Sequence, residues 1–70
     1  MTAGIRTLTI NGEPRATEAV TISDFLASIS LPSQMVVVEH NGEIVPRERY
    51  GEQPLHDGDT LEVVQMMAGG

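Results

Sequence analysis

Two Asn-Gly pairs, at residues 11–12 and 41–42, constrain the fold of this chain more than any other feature of the sequence. Both central positions of a type I′ turn need positive φ, and Asn followed by Gly adopts such a turn readily. Residues 5–10 alternate and contain β-branched side chains, and residues 13–17 follow the first pair. The first pair therefore predicts a hairpin. Because Pro14 cannot donate a ladder hydrogen bond, its strand is expected at a sheet edge.

A single amphipathic helix is predicted after this hairpin. Thr21 is a suitable N-cap and Asp24 follows three residues later, as in an acidic variant of the capping box. One apolar stripe at helical spacing contains Ile22, Phe25, Leu26 and Ile29. Ser30 and Pro32 are expected to end the helix. In so short a chain the stripe is expected to be the core face, because nothing else could cover the sheet.

The second half of the chain predicts another hairpin and a last strand. Residues 36–40 and 43–45 flank the second Asn-Gly pair, and residues 47–50 are expected to form one helical turn. Residues 51–59 predict a loop, with Leu55 directed into the core. Residues 60–66 predict the fifth strand. The fold class is therefore α+β: one main helix packed across one face of a mixed sheet of about five strands.

One helix covers only one face of such a sheet, so the other face is either solvated or binds something. By alternation Val64 and Met66 are expected on that open face, with Met67 beside them. Exposed apolar residues among charges suit a docking surface. The alternative, that they are ordinary scattered surface side chains, remains open.

Composition excludes several classes of function. The net charge is −6, with four arginines, no lysine and no cysteine. Nucleic-acid binding needs a basic face, and the missing thiols exclude disulfides, thiolate metal sites and a cysteine nucleophile. The arginines are expected to pair with neighbouring acids. No apolar run long enough for a membrane span and no signal pattern is present, so a cytoplasmic protein is expected.

The two histidines are the remaining candidates for chemistry. His40 stands where an apolar strand residue is expected, on the side of Val36 and Val38, and His56 lies in the predicted loop. A pH-sensitive contact or a metal ligand is one interpretation. A histidine at the margin of the core is the simpler one, and His56 lacks a second ligand at metal spacing. No metal site is predicted.

The chain ends in Ala68, Gly69 and Gly70. Glycines can pass through a narrow channel in nearly any backbone conformation. We expect a single domain over residues 1–70 with a flexible tail at about 67–70. The folded part would present the terminal carboxylate of Gly70 to another enzyme. The alternative is an ordinary frayed end.

Residues 41–48, Asn-Gly-Glu-Ile-Val-Pro-Arg-Glu, and residues 57–59, Asp-Gly-Asp, together with the terminal Ala-Gly-Gly, carry a family resemblance. The chain resembles a ubiquitin-like β-grasp domain, and more closely the ThiS family of sulfur carriers in bacterial thiamine biosynthesis. Length and element order agree over nearly the whole chain. The Val-Pro-Arg-Glu run together with the terminal Ala-Gly-Gly is the more specific part, whereas Asp-Gly-Asp occurs in many β-grasp domains.

The resemblance implies a carrier that is not an enzyme and binds no cofactor. A ubiquitin-activating-like adenylyltransferase would use ATP to adenylate Gly70, with Ala68 and Gly69 threading its channel. A cysteine desulfurase or other persulfide donor would convert the adenylate to a thiocarboxylate. Thiazole synthase would take up the sulfur. Alternatives are a carrier for molybdenum cofactor or cysteine synthesis, a β-grasp interaction module, or a small enzyme using a histidine with an acid.

Overall fold

The computed structural model describes residues 4–66. The elements in chain order are β1 Arg6–Ile10, β2 Glu13–Thr17, α1 Ile22–Ser28, β3 Val36–His40, β4 Glu43–Ile44 and β5 Thr60–Gln65. The sheet has five strands in the order β2-β1-β5-β3-β4. Strands β1 and β5 run parallel and the other neighbours antiparallel. The predicted α+β class and mixed sheet are confirmed.

Both predicted hairpins form, and both turns have positive φ at their two central residues. The values are 50° and 87° at Asn11 and Gly12, and 52° and 89° at Asn41 and Gly42. Strand β2, which contains Pro14, lies at one edge of the sheet as predicted. The missing N–H of the proline therefore costs no central ladder bond.

Helix α1 begins as predicted and ends slightly earlier. Thr21 accepts from the backbone N–H of Asp24, and the Asp24 carboxylate accepts from the Thr21 N–H in return. The helix ends at Ser28, so Ile29, the last residue of the predicted apolar stripe, is the C-cap residue and lies just outside the helix. Ser30 has a φ of 62°, a left-handed conformation that reverses the chain at the helix end.

Small differences also occur at strand ends. Ile5, Val45 and Met66 were included in the predicted strands but lie just outside β1, β4 and β5. Two 3₁₀ turns are present: Ser33–Met35, which was not predicted, and Arg47–Arg49, where one helical turn was expected. Strand ends fray and differ by a residue or so in any assignment, so the architecture is unaffected.

The core lies between α1 and the sheet. Its buried apolar members are Leu8, Ile22, Phe25, Leu26, Val36, Val38, Val45, Tyr50, Leu55, Leu61 and Val63. The prediction that Leu55 reaches the core from the loop is confirmed, since it is 2% exposed. Tyr50, the only tyrosine, is buried as well and was not anticipated, because it falls in a short polar stretch with no periodicity.

The expectation that the arginines pair with acids is wrong for the described residues. Arg6 donates to the Ala19 carbonyl at 2.6 Å, and Arg47 donates to the Ser33 carbonyl at 3.0 Å. The Arg15 guanidinium lies 5.9 Å from the centre of the Phe25 ring. These three side chains therefore contact backbone carbonyls or an aromatic ring, and the exposed ion pairs that were expected would have contributed little.

Candidate functional site

Strand β5 is the element that leads to the terminal residues, and it lies in the middle of the sheet. It pairs with β1 on one side and with β3 on the other. Central strands have both edges hydrogen-bonded and are the last parts of a sheet to open. The described chain ends one residue after this strand, at Met66, whose N–H donates to the Met35 carbonyl at 2.7 Å.

The asparagines of the two turns also fasten β5 from both sides. The Asn11 side chain accepts from the Val63 N–H at 2.7 Å and donates to the Val63 carbonyl at 3.0 Å. The Asn41 side chain accepts from the Thr60 N–H at 2.9 Å. Each asparagine side chain thus forms hydrogen bonds with the β5 backbone just beyond the end of β1 or β3, where backbone pairing stops. Sequence reasoning assigned these asparagines to turn geometry alone and missed this second role.

The loop before β5 carries a hydrogen-bonded cluster around Asp59. His40 Nε2 donates to Asp59 Oδ2 at 2.7 Å, and the backbone N–H of His56 donates to the same oxygen at 2.9 Å. The Asn41 amide donates to the other oxygen at 3.3 Å. Burial alone raises the pKa of Asp59, but these hydrogen bonds outweigh it, so the pKa lies below its ordinary value.

His40 therefore links β3 to the loop before β5 through a side-chain hydrogen bond, at the margin of the core. Its side chain is 14% exposed. Its second ring nitrogen, Nδ1, lies 3.4 Å from the Gln53 amide nitrogen, so both nitrogens have partners. A groove of about 300 Å³ adjoins it. These two contacts leave neither ring nitrogen free for a molecule in that groove.

The other motif residues have structural roles. Asp57 accepts from the Thr7 N–H at 2.7 Å, and Gly58 has a φ of 89°, which explains the Asp-Gly-Asp triplet. In the Val-Pro-Arg-Glu run, Val45 is buried and Arg47 ties this segment to the carbonyl of Ser33. The first motif thus holds the loop before β5 against β1, and the second joins the segment after β4 to the segment before β3.

The open face of the sheet, opposite α1, is defined here by Val37, Glu39, Ile44, Glu62, Val64 and Met66. The predicted alternation is confirmed: Leu61 and Val63 are buried under the helix, whereas Val64 and Met66 are 57% and 43% exposed. Ile44 on neighbouring β4 is 68% exposed. Sequence reasoning missed Ile44 because it lies on a strand of two residues.

The remaining predicted site residues, Met67, Ala68, Gly69 and Gly70, and the predicted flexible tail lie outside the described residues. His56 is an exposed loop residue, with Nδ1 3.9 Å from Asp59 Oδ2. Over residues 4–66 no group of three or more potential ligands could hold a metal ion. In the same part of the chain, no helix is both long and apolar enough to cross a membrane.

The Asp59 cluster gives a prediction for stability. Asp59→Asn is expected to lower the free energy of unfolding at pH 7 by about 1–2 kcal/mol, because a partly buried, charge-assisted acceptor is lost. A depressed folded-state pKa contributes stability that is present above the unfolded pKa of about 4 and disappears as pH falls through the lower folded value. The difference from wild type should therefore shrink below about pH 4, as measured by urea unfolding.

Glu18→Gln, an exposed carboxylate outside the cluster, is the control and should change little at either pH. A difference between Asp59→Asn and wild type that stays constant from pH 7 to pH 3 would contradict the prediction.

The sheet order and the single helix define a class, the ubiquitin-like β-grasp domain. The family model described as "ThiS family" matches residues 6–70. The chain belongs to the ThiS family. It is 48% identical over 50 residues to the sulfur carrier protein ThiS of Bacillus subtilis, a match that covers 71% of this chain and 76% of that protein.

Two further similarities place the chain among known proteins. The crystal structure of the thiamine biosynthesis protein ThiS from Geobacter metallireducens superimposes with a TM-score of 0.77 at 31% identity, covering 91% of this chain and 99% of that one. A thiazole synthase of Paramagnetospirillum magneticum is 42% identical over 64 residues, 90% of this chain. The match spans only 20% of that relative's length.

Proposed function

We propose that this chain is a protein sulfur carrier that supplies sulfur for the thiazole part of thiamine, as a co-substrate rather than a catalyst. The observation that carries the proposal is family membership over residues 6–70, a match that includes the terminal Ala-Gly-Gly. The proposed reacting group is the Gly70 carboxylate, with Ala68 and Gly69 as threading residues.

The chemistry runs in two stages. A carboxylate oxygen of Gly70 attacks the α-phosphorus of ATP, pyrophosphate leaves, and an acyl-adenylate forms. A cysteine persulfide of the donor protein then attacks the Gly70 carbonyl, AMP leaves, and the chain is joined to the donor through an acyl disulfide. A second thiol reduces that disulfide, which releases the thiocarboxylate and leaves a protein disulfide.

The geometry of the described residues supports a carrier. Strand β5 is held from both sides by backbone pairing and by the Asn11 and Asn41 amides, so it can serve as a firm base for the residues that follow. His40 has both ring nitrogens occupied, and His56 is 73% exposed. Neither histidine is poised as a general base, which disfavours a small enzyme.

The proposed partners follow from the chemistry: a ubiquitin-activating-like adenylyltransferase, a cysteine desulfurase or other persulfide donor, and thiazole synthase. Support for thiazole synthase comes from a relative of that name in which a segment similar to this chain forms part of the same polypeptide. Joining two functions in one chain raises their effective concentration.

Intact-mass spectrometry tests the proposal. The chain is purified from cells that also make the adenylyltransferase and cysteine desulfurase of the same genome, and the terminal peptide is then fragmented. We expect a mass gain of one sulfur-for-oxygen exchange, localised to Gly70. Cells without the desulfurase are the control and should yield the unmodified chain.

An unmodified chain in both preparations, with no ATP–pyrophosphate exchange when the purified chain and adenylyltransferase are mixed, would overturn the proposal. It would favour a β-grasp interaction module without chemistry.

A further inference from the structure

The open face carries two glutamates directly opposite each other. Glu39 on β3 and Glu62 on β5 are register partners, and Glu39 is also the partner of Ile44 on β4. The next row towards the C-terminal end of β5 pairs Val37 with Val64. An acidic pair therefore adjoins apolar side chains on one exposed surface.

This pairing is unfavourable in the free protein. Side chains directly opposite in an antiparallel pair have Cβ atoms about 5 Å apart, and like charges there destabilise the sheet. Within residues 4–66 neither carboxylate forms an ion pair or accepts a side-chain hydrogen bond. The repulsion is therefore not relieved inside the described part of the chain.

Among the described residues, none of the four arginines is ion-paired or hydrogen-bonded to Glu39 or Glu62. Arg6 and Arg15 lie on the side of the sheet that carries Leu8. Arg6 is two residues before Leu8 on β1, and Arg15 on β2 is the register partner of Leu8. The other two belong to the 3₁₀ turn Arg47–Arg49, next to buried Tyr50. Within residues 4–66 no cationic group is bonded to either carboxylate, so a cation from another molecule can pair with both.

We infer that the open face is a receptor for one arginine or lysine side chain of the adenylating partner, which inserts between Glu39 and Glu62 while apolar partner residues cover Val64 and Ile44. The inference rests on the proposed function. A guanidinium can bridge two carboxylates with paired hydrogen bonds, and its charge removes their mutual repulsion.

Charge complementarity and position select this occupant. A second copy of the chain would bring the same acidic pair against the first, and each copy has a net charge of −6. Glu62 and Val64 lie on β5, the strand that leads to Gly70. An enzyme that holds the Gly70 carboxylate against ATP approaches along this strand, so the same contact can set the distance of the tail.

The test compares two properties of the same variants, Glu39→Gln and Glu62→Gln. In the free protein, each substitution alone should raise the midpoint of thermal unfolding by about 2–4 °C, and the double variant should gain little more, because either change removes the repulsion. With the adenylyltransferase of the same genome, each should raise the KM for the carrier about 5–10-fold in ATP–pyrophosphate exchange and leave kcat unchanged.

Glu52→Gln is the matched control, since it removes the same charge from an exposed loop residue. It should change neither property. Raising the salt concentration should increase the wild-type KM more than that of the double variant, because the interface of the double variant has lost its charge pairs.

If the KM of both glutamine variants equals that of the wild type, the inference is overturned, whereas the proposed function is unaffected. The inference would also be overturned if sedimentation showed that the wild-type chain forms a dimer and that Glu62→Gln makes this dimer more stable. The occupant of the open face would then be a second copy of the chain. A wild-type chain that is never adenylated would overturn the proposed function itself, and this inference with it.

Discussion

One alanine added after Gly70 is expected to abolish adenylation, with at least about a thousandfold loss of ATP–pyrophosphate exchange and no change in the thermal midpoint. An extra residue moves the terminal carboxylate by up to about 3.5 Å. A misplacement of about 1 Å at a reacting centre can cost about a hundredfold in rate. The glycine that stands at position 70 also becomes an amide, which has no free carboxylate oxygen to attack ATP.

The matched control adds one alanine before Met1, which changes chain length equally and should leave the exchange rate unaltered. Circular dichroism of both variants establishes that the fold is intact. If the extended chain exchanges pyrophosphate at the wild-type rate, the reacting group is not at Gly70. The group that is adenylated would then be another carboxylate, either that of the added alanine or that of a side chain.

Phe25→Ala is expected to have the largest effect on stability, with a loss of about 3–5 kcal/mol in the free energy of unfolding. Phe25 is the only phenylalanine and is fully buried in the single core of the described residues. A domain of this size has roughly 4–10 kcal/mol of stability in total. Much of the variant should therefore be unfolded at 37 °C, as measured by urea unfolding followed by circular dichroism.

Two further substitutions test whether this loss of stability comes from the apolar volume that Phe25 buries under the helix. Phe25→Leu retains most of the buried apolar volume and should cost much less, about 1–1.5 kcal/mol. Val64→Ala removes apolar atoms from the open face, where the side chain is 57% exposed, and should stay within about 0.5 kcal/mol. A loss at Val64 equal to that at Phe25 would mean that the open face, and not the helix-covered face, contains the core.

Much of the fold could be predicted because its signals are local. Asn-Gly specifies a turn through backbone φ, Thr21 with Asp24 specifies a helix start, and alternation in residues 60–65 specifies which side is buried. Each depends on residues within a few positions of one another. The ends of α1 and β4 were less accurate because packing decides whether the last residue of an element stays paired.

The candidate site was predictable only in part. Alternation along one strand was enough to place Val64 and Met66 on the open face. The arginine contacts were predicted wrongly, because charge alone does not reveal that a backbone carbonyl or an aromatic ring lies within reach. The contribution of Tyr50 to the core and of Asn11 to β5 depends on segments far apart in sequence.

By itself the sequence determined the two hairpins, the helix with its apolar stripe, the acidic charge and the family, because each depends on local patterns or on similarity along the chain. Only the tertiary structure placed β5 between β1 and β3, joined His40 to Asp59, and set Glu39 opposite Glu62. The physical reason is register: strand pairing between residues as distant as Glu39 and Glu62, or Thr9 and Thr60, is fixed by core packing and turn geometry together.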